Sequence, residues 1–426
     1  MTILCLSDST SIMGALTKGY DRAFFPVRLR HPFDHSLEYA QREFDSLAQK
    51  FDLRTIKLVI AEYVDSLLII FCMRRAGYSI PTIFIPHSNP YPLENFFYFT
   101  LLAILRNPRD TVLCGTRRTA AQYQKVLNVR ALPIATFGID EHFQPLDKRE
   151  ARLALKLNPE QKIILYTGRF AKDKNLTMLI DVYHQQKKRI PNLQLVLSSN
   201  YIDAITYNHL ATQLRDVICF YKLSKEQLIQ LYSAADLYTT PATSIFETWG
   251  RSPIEALRGN TPLLLPDWSG FSEYTLPHHG KIARVHHYER PAIYPFHFAQ
   301  TDREHYSELM YEMLTEPFPL QLSLSPWTEQ TYSLQQIRLL IEDNYNSAFS
   351  FFSPYPEDKR ISVELLSETV AIFLDYLQVQ TLAGLLQKAD QLGIVSRKFL
   401  GGLEFMRFLH QQFFRDLAPL PPKTIE

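Results

Sequence analysis

Short apolar runs alternate with longer stretches whose apolar residues recur at helical spacing, and the alternation holds to about position 318. This is the pattern of β-α-β units and a parallel sheet. In the first third, the runs at 3–6, 56–62, 82–86 and 111–114 predict strands, with helices at 36–49 and 93–105 between them. A polar, proline-containing passage from Phe137-Gly138-Ile139-Asp140 to Arg149 reads as a linker. The pattern then restarts. Strands are expected at 162–167, 193–197, 217–221, 237–240 and 262–266, and helices at 176–188, 225–234 and 252–258. Beyond Phe318 the alternation stops. Segments 332–351, 363–377 and 386–414 look helical, with a break at Gly401-Gly402 and a proline-bearing tail over 417–426.

A chain of 426 residues exceeds what one core usually serves. The expected division is 1–145, a Rossmann-like domain; 146–330, a second one; and 331–426, a helical extension. Lys plus Arg number 45 against 44 Asp plus Glu, so no general attraction to nucleic acid or an anionic membrane is expected. Anion recognition must be local. The four cysteines show no metal-ligand or redox spacing, and the opening Met-Thr-Ile-Leu-Cys-Leu lacks the basic flank of a signal peptide. No apolar run reaches the roughly 20 residues that span a bilayer. A cytoplasmic protein is expected. Segment 96–105 is apolar nearly all round, which reads as a core helix; peripheral membrane contact is the lesser reading. Arg28, Arg30 and His31 read as a solvated edge.

Two motifs carry chemistry. At the end of the 162–167 strand stands Tyr-Thr-Gly168-Arg169, followed by Lys174-Asn175 at a helix start. Gly168 allows a close turn, Arg169 offers a planar fork and Lys174 a point charge, and helix N-termini favour phosphate oxygens. The plain alternative is two surface cations bridged by Asp173. About seventy residues on comes Phe246-Glu247-Thr248-Trp249-Gly250, then Glu255 inside the next helix. At 1.5 Å per helical residue the two carboxylates stand about 12 Å apart, too far to act as a glycosidase pair. Two cations and two carboxylates at strand ends suit a ligand with a diphosphate and a polyol, and a nucleotide-sugar is the simplest such molecule.

These residues resemble the donor domain of retaining GT-B glycosyltransferases, the large family that includes bacterial glycogen synthase. The likeness runs from Gly168-Arg169 and Lys174-Asn175 through Leu231-Tyr-Ser-Ala-Ala-Asp236 and Pro241 to Glu247, Ile254-Glu255-Ala256, Gly259, Pro262 and Ser269-Gly270-Phe-Ser-Glu273. The segment from Phe137 to Asp140, with Phe143 and Pro145, resembles that family's hinge. The resemblance is thin over 1–130 and absent beyond about 350. It implies an α/β GT-B fold, two facing doubly wound Rossmann-like domains, here with a helical C-terminal extension. It implies Arg169 and Lys174 on the donor diphosphate, Glu247 at the transferred sugar, Glu255 on the ribose, and the backbone around Thr248, Trp249 and Gly250 at sugar hydroxyls. Gly14 would approach the donor, and His87 in Ile85-Pro-His-Ser-Asn-Pro90 would lie on the acceptor side.

The resulting expectation is retaining transfer of a sugar, from a UDP or GDP donor, to an acceptor hydroxyl on a glycan, lipid or small molecule, in glycan or glycoconjugate biosynthesis. No cofactor and no metal is expected. Two departures from the family pattern bear on the base: Ser198-Ser199-Asn200 stands where Gly-x-Gly is usual, and Tyr221 where glycine is usual. The alternatives are an epimerase or hydrolase on the same fold, and a sugar-nucleotide-binding protein without turnover.

Overall fold

The computed structural model describes residues 2–7, 17, 19–26, 37–63, 65–90, 93–133, 144–244, 247–248, 250–275, 277–287, 299–320, 334–346 and 351–391. The chain divides into two compact units, Met1–Phe137 with Gln330–Glu426, and Gly138–Glu329.

The first unit opens with β1 (Thr2–Leu6), β2 (Arg22–Phe25), α1 (Leu37–Lys50), β3 (Ile56–Glu62), α2 (Asp65–Arg75), β4 (Tyr78–Ser79), β5 (Thr82–Ile85), α3 (Leu93–Ile104), β6 (Thr111–Cys114), α4 (Arg117–Leu127) and β7 (Arg130–Pro133). Six of its strands form a parallel sheet in the order β2-β1-β3-β5-β6-β7. Ile3, Leu4, Cys5 and Leu6 are wholly buried, as are Leu58 and Ile60 on the next strand. Unbroken apolar strands of this kind need helices on both faces. Helix α3 supplies part of that cover: Phe96, Phe97, Phe99 and Leu101 are all inaccessible, so the all-round apolar segment is a core helix.

At the N-terminal edge of this sheet Arg74 is locked into the interior, its side chain 2% exposed. Its guanidinium donates to Asp110 Oδ1 at 2.6 Å, Thr82 Oγ1 at 3.1 Å and the Leu105 carbonyl at 3.2 Å. Asp110 in turn accepts from the backbone N–H of Thr82 (3.0 Å) and of Asn107 (2.9 Å). One ion pair thus ties the end of α2 to the starts of β5 and β6.

The second unit holds α5 (Lys148–Ala154), β8 (Lys162–Thr167), α6 (Leu176–Lys187), β9 (Leu193–Ser199), α7 (Ala204–Leu210), β10 (Val217–Tyr221), α8 (Lys225–Ala234), β11 (Leu237–Thr239), α9 (Arg251–Arg258), β12 (Leu263–Pro266), α10 (Phe271–Tyr274), β13 (Gly280–Ala283), β14 (Val285–His287), β15 (Ala299–Thr301) and α11 (Arg303–Thr315). Its six-stranded sheet runs β10-β9-β8-β11-β12-β13, all parallel. That is the doubly wound order in which the chain starts centrally, builds one half outward, then returns to build the other. The reversal falls between β8 and β11. There the two connections leave in opposite directions and open a crevice at the strand C-termini.

The remaining described elements, α12 (Leu334–Asn346), β16 (Phe351–Phe352), α13 (Glu368–Tyr376) and α14 (Leu382–Gln391), return to the first unit. They are not wholly helical, because β16 pairs antiparallel with β4. Phe373 of α13 meets Phe96 edge-on at 5.2 Å between centroids, and Ser367 Oγ donates to the Val126 carbonyl at 2.6 Å. The apolar face of α13, with Val370 and Phe373 buried, is what makes this return favourable. Among the described residues no helix is long and apolar enough to cross a membrane.

Candidate functional site

The reversal point of the second unit gathers both sequence motifs. β8 ends at Thr167, and the next turn is drawn alongside β9: Gly168 N–H donates to the Ser198 carbonyl at 3.0 Å, and Phe170 N–H to that of Tyr201 at 2.9 Å. Gly168 has no room for a side chain, since a Cβ there would lie 2.6 Å from Tyr166 Oη. That phenol donates to the Arg169 carbonyl at 2.9 Å and fixes the turn. A short 3-10 turn, Lys172–Lys174, follows, and Asn175 takes a left-handed conformation to launch α6.

Arg169 lies at the surface, 49% exposed, with its guanidinium 3.1 Å from Asp173 Oδ2. Lys174 turns inward. Its ammonium is 2.6 Å from Glu247 Oε2 and 3.4 Å from Asp173 Oδ2, and the Lys174 and Glu247 side chains are only 15% and 14% exposed. Burial opposes the charge on Lys174, but the carboxylates of Glu247 and Asp173 outweigh it and hold its pKa above the usual ammonium value. The bridging Asp173 of the plain reading is therefore present, and it belongs to a buried cluster that reaches across 73 residues to the second motif.

Glu247 sits in the loop after β11, and that loop is braced from β12. The Ser244 carbonyl accepts from Glu247 N–H (3.0 Å) and from the indole of the fully buried Trp268 (2.8 Å). Ser269 Oγ donates to the Thr248 carbonyl at 3.0 Å. Gly250, at φ +73°, caps α9; a Cβ there would lie 2.6 Å from a ring carbon of Phe271. Gly250→Ala is expected to cost about 1–3 kcal/mol through strain and overlap. Thermal denaturation checks this, and an unchanged melting temperature would show that the loop yields freely.

Glu255, one turn into α9, is held from both sides. Tyr232 Oη donates to its Oε2 at 2.9 Å and Arg251 Nε to its Oε1 at 2.8 Å. The same phenol lies 2.5 Å from Thr167 Oγ1 at the end of β8. Burial, with Glu255 beside it, pushes the Tyr232 phenol well above its ordinary value, so it stays a neutral donor. Three carboxylates (Asp173, Glu247 and Glu255) and three cations (Arg169, Lys174 and Arg251) thus stand at one set of strand ends, Glu247 tied to Lys174 and Glu255 to the Tyr232 phenol and Arg251.

Of the residues singled out from sequence, Gly168, Arg169, Lys174, Glu247, Thr248, Gly250 and Glu255 all belong to this edge. Gly14, Phe246 and Trp249 lie outside the described residues, as do the hinge residues 137–140 and 143, the cluster Arg28, Arg30 and His31, and 392–426. Sequence reasoning did not foresee Tyr232 and Trp268, which touch the site loops from below. Their only trace was the Leu231–Asp236 segment and the run before Ser269. In the segment that stands where Gly-x-Gly is usual, Ser198 and Ser199 are buried and Ser199 Oγ donates to the Tyr201 carbonyl at 2.5 Å, while Tyr221, at the other departure, is exposed.

His87 belongs to the first unit, whose own reversal point lies between β1 and β3. There Glu62, at the end of β3, is buried and accepts from Ser7 Oγ at 2.5 Å. Its other oxygen is 2.8 Å from His87 Nε2. His87 itself sits at φ +52°, an unusual backbone state for a residue with a side chain. A carboxylate, an imidazole and a hydroxyl from three strand ends therefore meet where open α/β sheets bind ligands.

Comparison with known proteins follows the same division. Residues 147–289 match the family model described as glycosyl transferases group 1. A lipopolysaccharide core biosynthesis mannosyltransferase, LpsB, from Rhizobium meliloti is 29% identical over 176 residues, 38% of this chain and 47% of that protein. The chain thus spans about half the length of that relative. Sucrose-phosphate synthase from Thermosynechococcus elongatus superposes with a TM-score of 0.63 at 16% identity, covering 81% of this chain and 98% of that one. Anabaena Alr3699/HepE, solved in complex with UDP and glucose, gives 0.60 at 14% identity, covering 82% and 100%. Two parallel Rossmann-like sheets with these neighbours are a GT-B fold. Over residues 147–289, then, the chain is similar to the glycosyl transferases group 1 family.

Proposed function

We propose that this protein transfers a sugar from a nucleoside diphosphate to an acceptor hydroxyl, with retention of configuration and without a divalent metal. The observation that carries the reading is the Lys174–Glu247 pair, with Arg169 beside it, at the reversal point of the second unit. Cations at a strand edge neutralise a departing diphosphate as its charge develops, the largest single contribution in many enzymes. Glu247, 2.6 Å from Lys174, would then orient the transferred sugar beside the leaving group. Glu255, with its two supports, is suited to a pair of ribose hydroxyls. The acceptor would attack on the face the diphosphate leaves, and a diphosphate oxygen would take its proton.

The relatives' names support the class. One is a mannosyltransferase of lipopolysaccharide core biosynthesis, and one structural neighbour was solved with UDP and glucose. On this reading the donor is a UDP or GDP sugar, the acceptor a glycan, lipid or small molecule, and the product part of a glycoconjugate. Cytoplasmic placement belongs to the same proposal.

A thermal-shift screen against UDP, GDP, ADP, TDP and CDP tests it, with and without chelator, on the natural protein and on Arg169→Ala. A ligand that binds only the folded state raises stability by mass action. The expected result is stabilisation by one nucleotide, indifferent to chelator and weakened in the variant. No shift with any nucleotide would overturn the donor site, and loss of the shift with chelator would overturn metal independence. Product analysis without acceptor separates transfer from epimerisation or hydrolysis.

A further inference from the structure

The sheet of the second unit ends on β10, which among the described residues pairs with β9 alone. An open strand edge is a template for a further strand, and proteins usually guard it with charges, proline or a bulge. β10 has none of these within its span: it reads Val217-Ile-Cys-Phe-Tyr221. Cys219 is the one exposed thiol of the four, and Tyr221 is 53% exposed. The strand ends abruptly at both sides, where Asp216 (φ +63°) and Lys222 (φ +54°) turn left-handed. Both flanking charges are exposed.

Two further observations specify the occupant. The first is backbone parity. Lys222 N–H donates to the Ser199 carbonyl at 2.9 Å, toward β9. Backbone groups alternate along a strand, so Ile218 and Phe220 also face β9, while Cys219 and Tyr221 direct N–H and C=O to the open edge. In an antiparallel pair centred on such an outward-facing residue, that residue and its mate exchange both hydrogen bonds. The second is charge. Asp216 stands three residues before Cys219 and Lys222 three after. Reversed about Cys219, the segment complements itself, with apolar opposite apolar and Asp216 near Lys222 of the second copy.

We propose that two copies of this chain join through β10, antiparallel and related by a two-fold axis at Cys219, so that two sheets become one. The contact is isologous, the commonest form of closed association. A five-residue ladder alone is small beside the roughly 1,200–2,000 Å² of a stable interface. Helix α7, which leads into β10, carries Ile205, 81% exposed, and the exposed Tyr207.

Sedimentation equilibrium of the full chain is expected to give the mass of two chains at micromolar concentration. A short bis-maleimide should link two chains through Cys219, and Cys219→Ser should abolish the link, the other three thiols being buried. Cys219→Pro removes an N–H that faces the open edge and spares the β9 ladder, so it should yield a folded monomer. If circular dichroism shows that variant misfolded, charge decides: Lys222→Asp should weaken association about tenfold and the exchange Asp216→Lys with Lys222→Asp should restore it. A natural chain that stays monomeric overturns the proposal. So does a dimer that cannot be linked through Cys219, one that survives a folded Cys219→Pro, or one indifferent to the charge variants.

Discussion

Lys174→Met is expected to reduce turnover by about 10²–10³, the usual loss when one group that stabilises developing charge is removed. The expectation rests on placement: the ammonium is nearly buried and stands between Glu247 and Asp173, with a raised pKa that keeps it charged throughout the physiological range. The folded protein should suffer less. Asp173 keeps Arg169, and only Glu247 loses its partner, a cost of about 1–3 kcal/mol. Steady-state kinetics beside thermal denaturation separate the two effects. Unchanged turnover would remove Lys174 from the mechanism, and an equal fall in both would make its role structural.

Asp110→Ala should cause the largest loss of stability, about 3–5 kcal/mol, because it leaves the Arg74 guanidinium buried without its counter-charge. The same change strips acceptors from the backbone N–H groups of Thr82 and Asn107. Replacing both charges together, Arg74→Met with Asp110→Leu, should cost less than the single variant, since no buried charge is then left unpaired and only the N–H groups of Thr82 and Asn107 lose an acceptor. Calorimetry of the three proteins decides it. A single variant that loses less than about 1 kcal/mol would mean that water reaches Arg74.

The fold is legible in the sequence through period and the candidate site through motifs, and neither carries information about the rest. The apolar runs at 56–62, 162–167 and 217–221 announce strands because both faces are covered or because turn residues bound them. The short strands Arg22–Phe25 and Arg130–Pro133 escaped notice, since each is four residues long and opens on a charge. Lys174 and Glu247 were each legible, but their pairing was not, because no local spacing encodes a meeting across 73 residues. Tyr232 shows the limit more sharply. It lies within an ordinary amphipathic helix, and only the packed structure shows its hydroxyl at 2.9 Å from Glu255. The Glu62 beneath His87 was hidden in the same way, as the last residue of an apolar strand.

The return of residues 351–391 to the first unit has a consequence for how the chain is made. On the ribosome, the second unit is one uninterrupted stretch, Gly138–Glu329, and is free to close as soon as it emerges. The first unit begins earlier and finishes later. Until β16 is synthesised, the strand β4 has no mate, and until α13 follows, Phe96 lacks Phe373. The order of completion thus reverses the order of synthesis, and the half-made first unit keeps an apolar surface uncovered while the whole of the second unit is made.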